Sequence, residues 1–136
     1  VALEIDHVAI AVSDLDAAAE RYSRALGAEA ARETVESEGV NVAIMRLGGA
    51  RVELISPIGE GGPIAAFIKK RGEGIHHMAL RTDDIDAEVS RMEGCGLRFL
   101  GKVRDGSEGT RVTFIHPKSL NGVLTELCTG GTPPGR

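Results

Sequence analysis

The sequence predicts an α+β protein in which two tandem β-α-β-β-β modules curve their sheets around a pseudo-twofold, open-barrel cleft and keep their helices outside. An internal repeat carries the prediction. Ile5-Asp6-His7-Val8-Ala9-Ile10 returns as Ile75-His76-His77-Met78-Ala79-Leu80, and Asp14-Leu15-Asp16-Ala17 returns as Asp84-Ile85-Asp86-Ala87, both at an offset of 70 (77 − 7 and 84 − 14). Each copy closes on a strand-like run with one carboxylate, Arg51-Val52-Glu53-Leu54-Ile55 and Leu124-Thr125-Glu126-Leu127-Cys128. A chain of 136 residues, 42% of them hydrophobic, suits one domain over 1–136, with module 1 over 4–58, a linker and helix over 59–73 and module 2 over 74–129. Halves of that size are marginal alone, so each is expected to bury apolar surface against the other.

The elements follow in order. Asp6 to Val12 alternates β-branched and small residues and reads as a strand; Ser13-Asp14 then supplies N-cap chemistry for a helix over Ala17 to Leu26, with Gly27 as its C-cap. Leu15, Ala18, Ala19, Tyr22 and Leu26 fall near one helix face, the buried one. Three strands are expected around Ala28–Thr34, Val40–Leu47 and Ala50–Ser56, the last two joined by a Gly48-Gly49 hairpin turn. Pro63 to Arg71 reads as a short helix, opened by proline and closed by basic residues. The second copy predicts a strand over Ile75–Arg81, a capped helix over Asp84–Gly94, and strands over Arg98–Val103, Arg111–His116 and Val123–Cys128. The Gly- and Pro-rich stretch from Thr129 to Arg136 reads as a frayed tail.

Composition narrows the function. A net charge of −4 offers no basic field, which excludes nucleic acid and anionic membrane as expected partners. No apolar run approaches the roughly 20 residues that span a bilayer, and Cys95 and Cys128 form no CxxC pair; both read as small packing residues of a soluble, reduced, cytoplasmic protein. With no Trp, one Tyr and three Phe, a base-stacking platform is also excluded.

The repeat then places chemistry. On regular strands His7 and His77 take matching positions and face one cleft. Glu53 shares a strand face with Arg51 and Ile55, and Glu126 is its counterpart. A mid-strand carboxylate on a buried face is costly without a partner. Two imidazoles and two carboxylates make a donor set for a divalent ion, and N and O donors favour Co, Mn, Ni, Zn or Fe over a thiolate-rich site. His76 is expected on the opposite side from His77, facing core or helix. His116 either lines the cleft mouth or caps the hairpin at Pro117-Lys118. Asp14, Asp16, Asp84 and Asp86 read as helix-capping residues. The Gly106-Ser107-Glu108-Gly109 loop is a plain turn or a backbone cradle for an anion.

Three runs together resemble the methylmalonyl-CoA epimerase family of the vicinal-oxygen-chelate superfamily, whose members pair βαβββ modules. They are Ile5-Asp6-His7-Val8-Ala9-Ile10, Arg71-Gly72-Glu73-Gly74-Ile75-His76-His77, and His116-Pro117-Lys118-Ser119 continuing to Gly122 through Cys128. The resemblance covers the chain from Ile5 to Cys128. It implies proton transfer at C2, interconverting (R)- and (S)-methylmalonyl-CoA through an enolate, with a small-molecule acyl-CoA substrate; a homodimer is the expected assembly because the sheets of such a fold have edges to cover. It also implies a divalent metal, Co2+ before Mn2+, Ni2+ or Zn2+, at His7, Glu53, His77 and Glu126, with Glu126 as a catalytic proton shuttle and Ser107 binding the substrate carboxylate. Many such epimerases carry Gln where Glu53 stands. Many also carry a Glu where this chain has Val42, which leaves one base unassigned, with Glu36 and Glu38 in the loop nearby. The alternatives are a glyoxalase I-like lactoylglutathione lyase, which shares the ligand types, and a ligand-binding member of the superfamily without catalysis.

Overall fold

A computed structural model describes residues 3–106 and 109–130. The first module runs β1 (Glu4–Ala11), α1 (Leu15–Leu26), β2 (Ala31–Val35), β3 (Val40–Leu47) and β4 (Ala50–Pro57). Helix α2 (Pro63–Arg71) leads to the second: β5 (Gly74–Arg81), α3 (Ile85–Gly94), β6 (Arg104–Asp105), β7 (Arg111–Ile115) and β8 (Thr125–Thr129). The repeat reproduces its helix starts faithfully. Asp14 accepts a hydrogen bond from the Ala17 N–H at 3.1 Å, and Asp84 accepts one from Ala87 at 3.1 Å; each such cap is worth about 1 kcal/mol. Asp16 and Asp86 do not cap. They pair instead with Arg32 of β2 at 2.9 Å and with Arg111 of β7 at 3.0 Å. Gly27 ends α1 at φ 65, a left-handed turn that glycine adopts without a Cβ penalty.

The eight strands form one curled sheet in the order β2-β3-β4-β1-β5-β8-β7-β6. Sequence alone suggested two sheets facing across a cleft; the two are instead continuous, because β1 and β5 pair antiparallel at the centre. The pseudo-twofold axis passes between those strands. His7 stands opposite Ala79 and Ala9 opposite His77, while the flanking parallel pairs align Ala9 with Glu53 and Ala79 with Glu126. Both carboxylates therefore sit in the same register against their histidine strand. The central pairing slips twice, once at Asp6 and once at His76. Those two bulges are themselves repeat-equivalent (76 − 6 = 70).

Alternation along the strands separates two packed faces. On the convex side α1 buries Ala18 and Ala19 against Ala43, Met45 and Leu54, while α3 contributes Ile85 and Met92 to a cluster with Ile115 and Leu127. The concave side carries Ala9, Val40, Val42 and Ile55, closed over by Ile64 from α2. Three expectations shift here. Leu26 lies 41% exposed rather than in the helix seam, and Cys95 is exposed at the end of α3, whereas Cys128 is buried. The strand expected over Arg98–Val103 is absent as a ladder: only a single bridge from Phe99 to Ile115 forms before the chain bends at Leu100 and Gly101, and pairing resumes at Arg104. Among the described residues no helix is long and apolar enough to cross a membrane.

Candidate metal centre and active-site cleft

The concave face encloses a cavity of about 490 Å³, within the range of roughly 300–1,000 Å³ usual for small-molecule sites. Its floor is the β1–β5 pair, its walls are β2–β4 on one side and β6–β8 on the other, and α2 closes one end with Pro63 and Ile64. On the floor the Nε2 atoms of His7 and His77 approach to 3.3 Å. Glu126 Oε1 lies 3.6 Å from His77 Nε2. One donor atom from each of the three residues falls within 4.8 Å of the others. Both imidazoles are buried, and Phe114 packs edge-on against His77 with ring centroids 5.7 Å apart, which keeps water from that side.

Glu53 lines the same cavity but outside that cluster. Its Oε2 is 3.5 Å from His7 Nδ1 and 3.5 Å from Arg51 Nη2. Thus three of the four expected donors converge, and the fourth carboxylate rests across the His7 ring beside a guanidinium. Ser107 lies outside the described residues.

The arrangement rests on Asp6, which is completely buried. Its Oδ2 accepts from His7 Nδ1 at 2.7 Å and from Arg51 Nη2, and its Oδ1 accepts from Arg81 Nε at 2.8 Å. Burial opposes ionisation, but the hydrogen bond from His7 and the positive charge of Arg51 outweigh it and hold the carboxyl well below the usual carboxylate range. With Nδ1 donating to Asp6, the His7 Nε2 lone pair is directed at His77 and Glu126. Carboxylate support of this kind fixes the tautomer of metal-binding histidines and raises their basicity.

The imidazole pair behaves asymmetrically. Burial first, then the charges of His7 and His76, push His77 down to about 3, so it presents a neutral ring. Burial also works against a charge on His7, but the bond to Asp6 and the charges of Glu53 and Glu126 raise it above its ordinary value. Burial pushes Glu126 up to about 7, with His7 pulling the other way and Glu53 adding to the rise. A largely buried cluster of imidazoles and carboxylates whose two Nε2 atoms face each other at 3.3 Å suits a divalent cation, whose binding displaces protons from its ligands. The donor set therefore fits a metal, with borderline N/O character.

One sequence expectation changes at a bulge, and others that are open in the sequence resolve. His76 does not point away from the cleft: the slip in register turns it to the same side as His77, its Nδ1 lies 2.9 Å from His77 Nδ1, and its ring packs edge-on to Phe67 at 5.0 Å. His116 is a capping residue, accepting from the Lys118 N–H at 3.1 Å. Glu38 reaches the cavity rim, where it meets Arg104 of the other module at 3.5 Å; Glu36 does not line the cavity. Sequence reasoning missed Asp6, Arg51 and Arg81 as a unit. The one available signal was an aspartate inside an otherwise apolar strand, a place where Asp is depleted unless it has partners.

Comparison with known proteins follows the same direction. A family model of the glyoxalase/bleomycin resistance protein/dioxygenase superfamily matches residues 6–114. The chain is 44% identical over 127 residues to an ethylmalonyl-CoA/methylmalonyl-CoA epimerase of Cereibacter sphaeroides, covering 90% of this chain and 95% of that protein. It is 40% identical over 126 residues to the mitochondrial methylmalonyl-CoA epimerase of Homo sapiens, covering 90% of this chain and 72% of that one. Among solved structures, a variant of Streptomyces coelicolor methylmalonyl-CoA epimerase in complex with 2-nitronate-propionyl-CoA superposes with a TM-score of 0.86 at 38% identity, covering 94% of this chain and 97% of that chain.

Proposed function

The chain belongs to the glyoxalase/bleomycin resistance protein/dioxygenase superfamily, and from that premise we propose that it is a methylmalonyl-CoA epimerase, moving the C2 proton so that the (R) and (S) forms interconvert. The observation that carries the reading is the cluster of two buried histidines, His7 and His77, with the half-buried Glu126 on the floor of a cavity walled by both modules. Such a site suits a proton held between a thioester and a carboxylate, where removal leaves charge spread over oxygens on both sides. His7, His77 and Glu126 would hold a divalent cation, with Glu53 as the fourth donor and cobalt the first expectation. When bound, the ion supplies Lewis-acid stabilisation of the negative charge that develops on the substrate oxygens.

The protein's own groups do the rest. Asp6 holds His7 in one tautomer, and Arg51 and Arg81 keep Asp6 ionised and immobile. Arg51 also faces Glu53, so it offsets the extra negative charge that Glu53 introduces relative to a glutamine. Glu126, from the second-module wall, accepts the C2 proton on one face of the substrate. Val40, Val42, Ile55 and Ile64 exclude water from the reacting end. The homodimer expected from the sequence has open sheet edges at β2 and β6 to use.

The test is direct. Protein loaded with Co2+ and given methylmalonyl-CoA in deuterium oxide takes up deuterium at C2 and converges on a mixture of both configurations; a substrate that keeps its proton rejects the reading. Chelator abolishes exchange and lowers Tm, and added Co2+ restores both. Turnover of the glutathione adduct of methylglyoxal in place of this exchange would favour the lyase alternative.

A further inference from the structure

Inversion at carbon requires a proton to leave one face and another to arrive at the opposite face. Glu126, fixed on the second-module wall beside the histidines, serves one face only, so a partner must stand on the first-module wall. Among the described residues the cavity is lined by five carboxylates: Asp6, Glu33, Glu38, Glu53 and Glu126. Asp6 is wholly buried and committed to His7, Arg51 and Arg81. Glu53 lies against His7 on the floor side, and Glu38 sits half exposed at the rim beside Arg104.

Glu33 is differently placed. It is half-buried on β2, between Arg32 and Thr34, which point outward to Asp16 at 2.9 Å and Asn41 at 2.7 Å. Alternation therefore turns Glu33 inward together with Val35, and both line the cavity. Its partner across the β2–β3 ladder is Val42, which is buried on that same concave face. Directly opposed residues on antiparallel strands share a face with Cβ atoms about 4.5–5.5 Å apart. A glutamate at 33 thus brings its carboxylate over Val42, the position where the sequence lacks an expected acid. In the curled sheet β2 and β8 belong to opposing walls.

Resting on the epimerase reading, we propose that Glu33 is the second proton-transfer residue, acting on the face of C2 opposite to Glu126. In one direction Glu126 takes the C2 proton, the bonding electrons remain on the substrate as an enolate, and protonated Glu33 delivers its proton to the other face. The enzyme is left with Glu126 protonated and Glu33 ionised, and exchange with water restores the starting state. The opposite enantiomer runs the same steps in reverse.

The experiment offers each enantiomer separately to metal-loaded wild type and to Glu33→Gln in deuterium oxide, reading deuterium at C2 and configuration independently. The expected result for E33Q is a loss of epimerisation of about 100-fold or more in kcat, KM changed by less than about threefold, and continued exchange with retained configuration for one enantiomer only. Adding Val42→Glu in the E33Q background moves a carboxylate to the neighbouring strand and regains about tenfold or more. Epimerisation by E33Q near the wild-type rate, equal loss of exchange for both enantiomers, or no gain from V42E overturns the role of Glu33 and leaves the epimerase reading standing. Absence of exchange in the wild type overturns that reading itself. Should the isosteric amide prevent folding, Glu33→Asp withdraws the carboxylate by one methylene and carries the same expectation of lowered kcat at unchanged KM.

Discussion

The two modules support their histidines through one backbone device and two different side chains. In each, a β-bulge immediately before the histidine turns the preceding residue into the cleft, where it meets the histidine Nδ1. The first module places Asp6 there, a buried anion clamped by two guanidinium groups; the second places His76, a partly buried ring resting on Phe67. Backbone and ligand are thus common to both copies, while the supporting partner has diverged. One consequence is electrostatic: His7 is drawn towards its protonated form and His77 is driven to the neutral form, although their positions are equivalent.

Breaking the Asp6 side should cost most. Asp6→Asn leaves Arg51 and Arg81 facing a neutral group in a buried setting, and removing one partner of a buried charge cluster costs about 3–5 kcal/mol. Denaturant unfolding of the metal-free protein measures that loss. The same variant should weaken metal binding by about 10–100-fold, read by competition with a chromogenic chelator. If D6N unfolds like wild type, the two supports are equivalent after all.

Acid unfolding sharpens the same contrast. Asp6 is held below its ordinary value of 3.8 in the folded state, so its contribution is complete above that value and is lost as pH falls through the acid range. Metal-free wild type should therefore lose stability on acidification more steeply than D6N below about pH 4. Parallel curves would deny Asp6 this role.

On the other side His76→Gln should act more weakly. It removes a hydrogen-bonding partner of His77 and a ring contact with Phe67, which predicts metal affinity lowered by about tenfold with unfolding free energy changed by less than about 1.5 kcal/mol. A loss as large as that of D6N would erase the asymmetry. The smallest effect concerns thiols. Cys128 stands two residues after Glu126, where the first module has Ile55 two residues after Glu53, and burial, reinforced by Asp6 and Glu126, pushes its thiol up to about 12. Ellman's reagent at neutral pH should react with exposed Cys95 and not with Cys128; two fast-reacting thiols would mean that this part of the second sheet opens readily.

What could be read from the sequence was whatever depends on repetition and regular alternation. His7 and His77 were legible because a 70-residue offset and strand parity locate them, and Glu53 and Glu126 because each copy closes on a strand-like run with one carboxylate, all without knowledge of distant contacts. Asp6 and His76 were not, because a bulge moves every parity argument by one residue and neither site carries the glycine that often announces one. Arg51 and Arg81 acquire meaning only when β4, β1 and β5 lie side by side. The missing ladder over 98–103 has a similar origin: its residues favour a strand locally, but the bend at Leu100 and Gly101 breaks pairing with β7. Glu33 was hidden by its place on an edge strand, where a charged side chain ordinarily signals solvent.

The antiparallel join between β1 and β5 also bears on how such a site can change over time. Were the halves separate, identical polypeptides meeting about a true dyad, any substitution before the histidine would appear on both sides at once. Covalent fusion removes that coupling. One copy can retain an anion beneath its imidazole while the other adopts a ring, and each rim of the cleft becomes free to specialise for its own face of a chiral carbon.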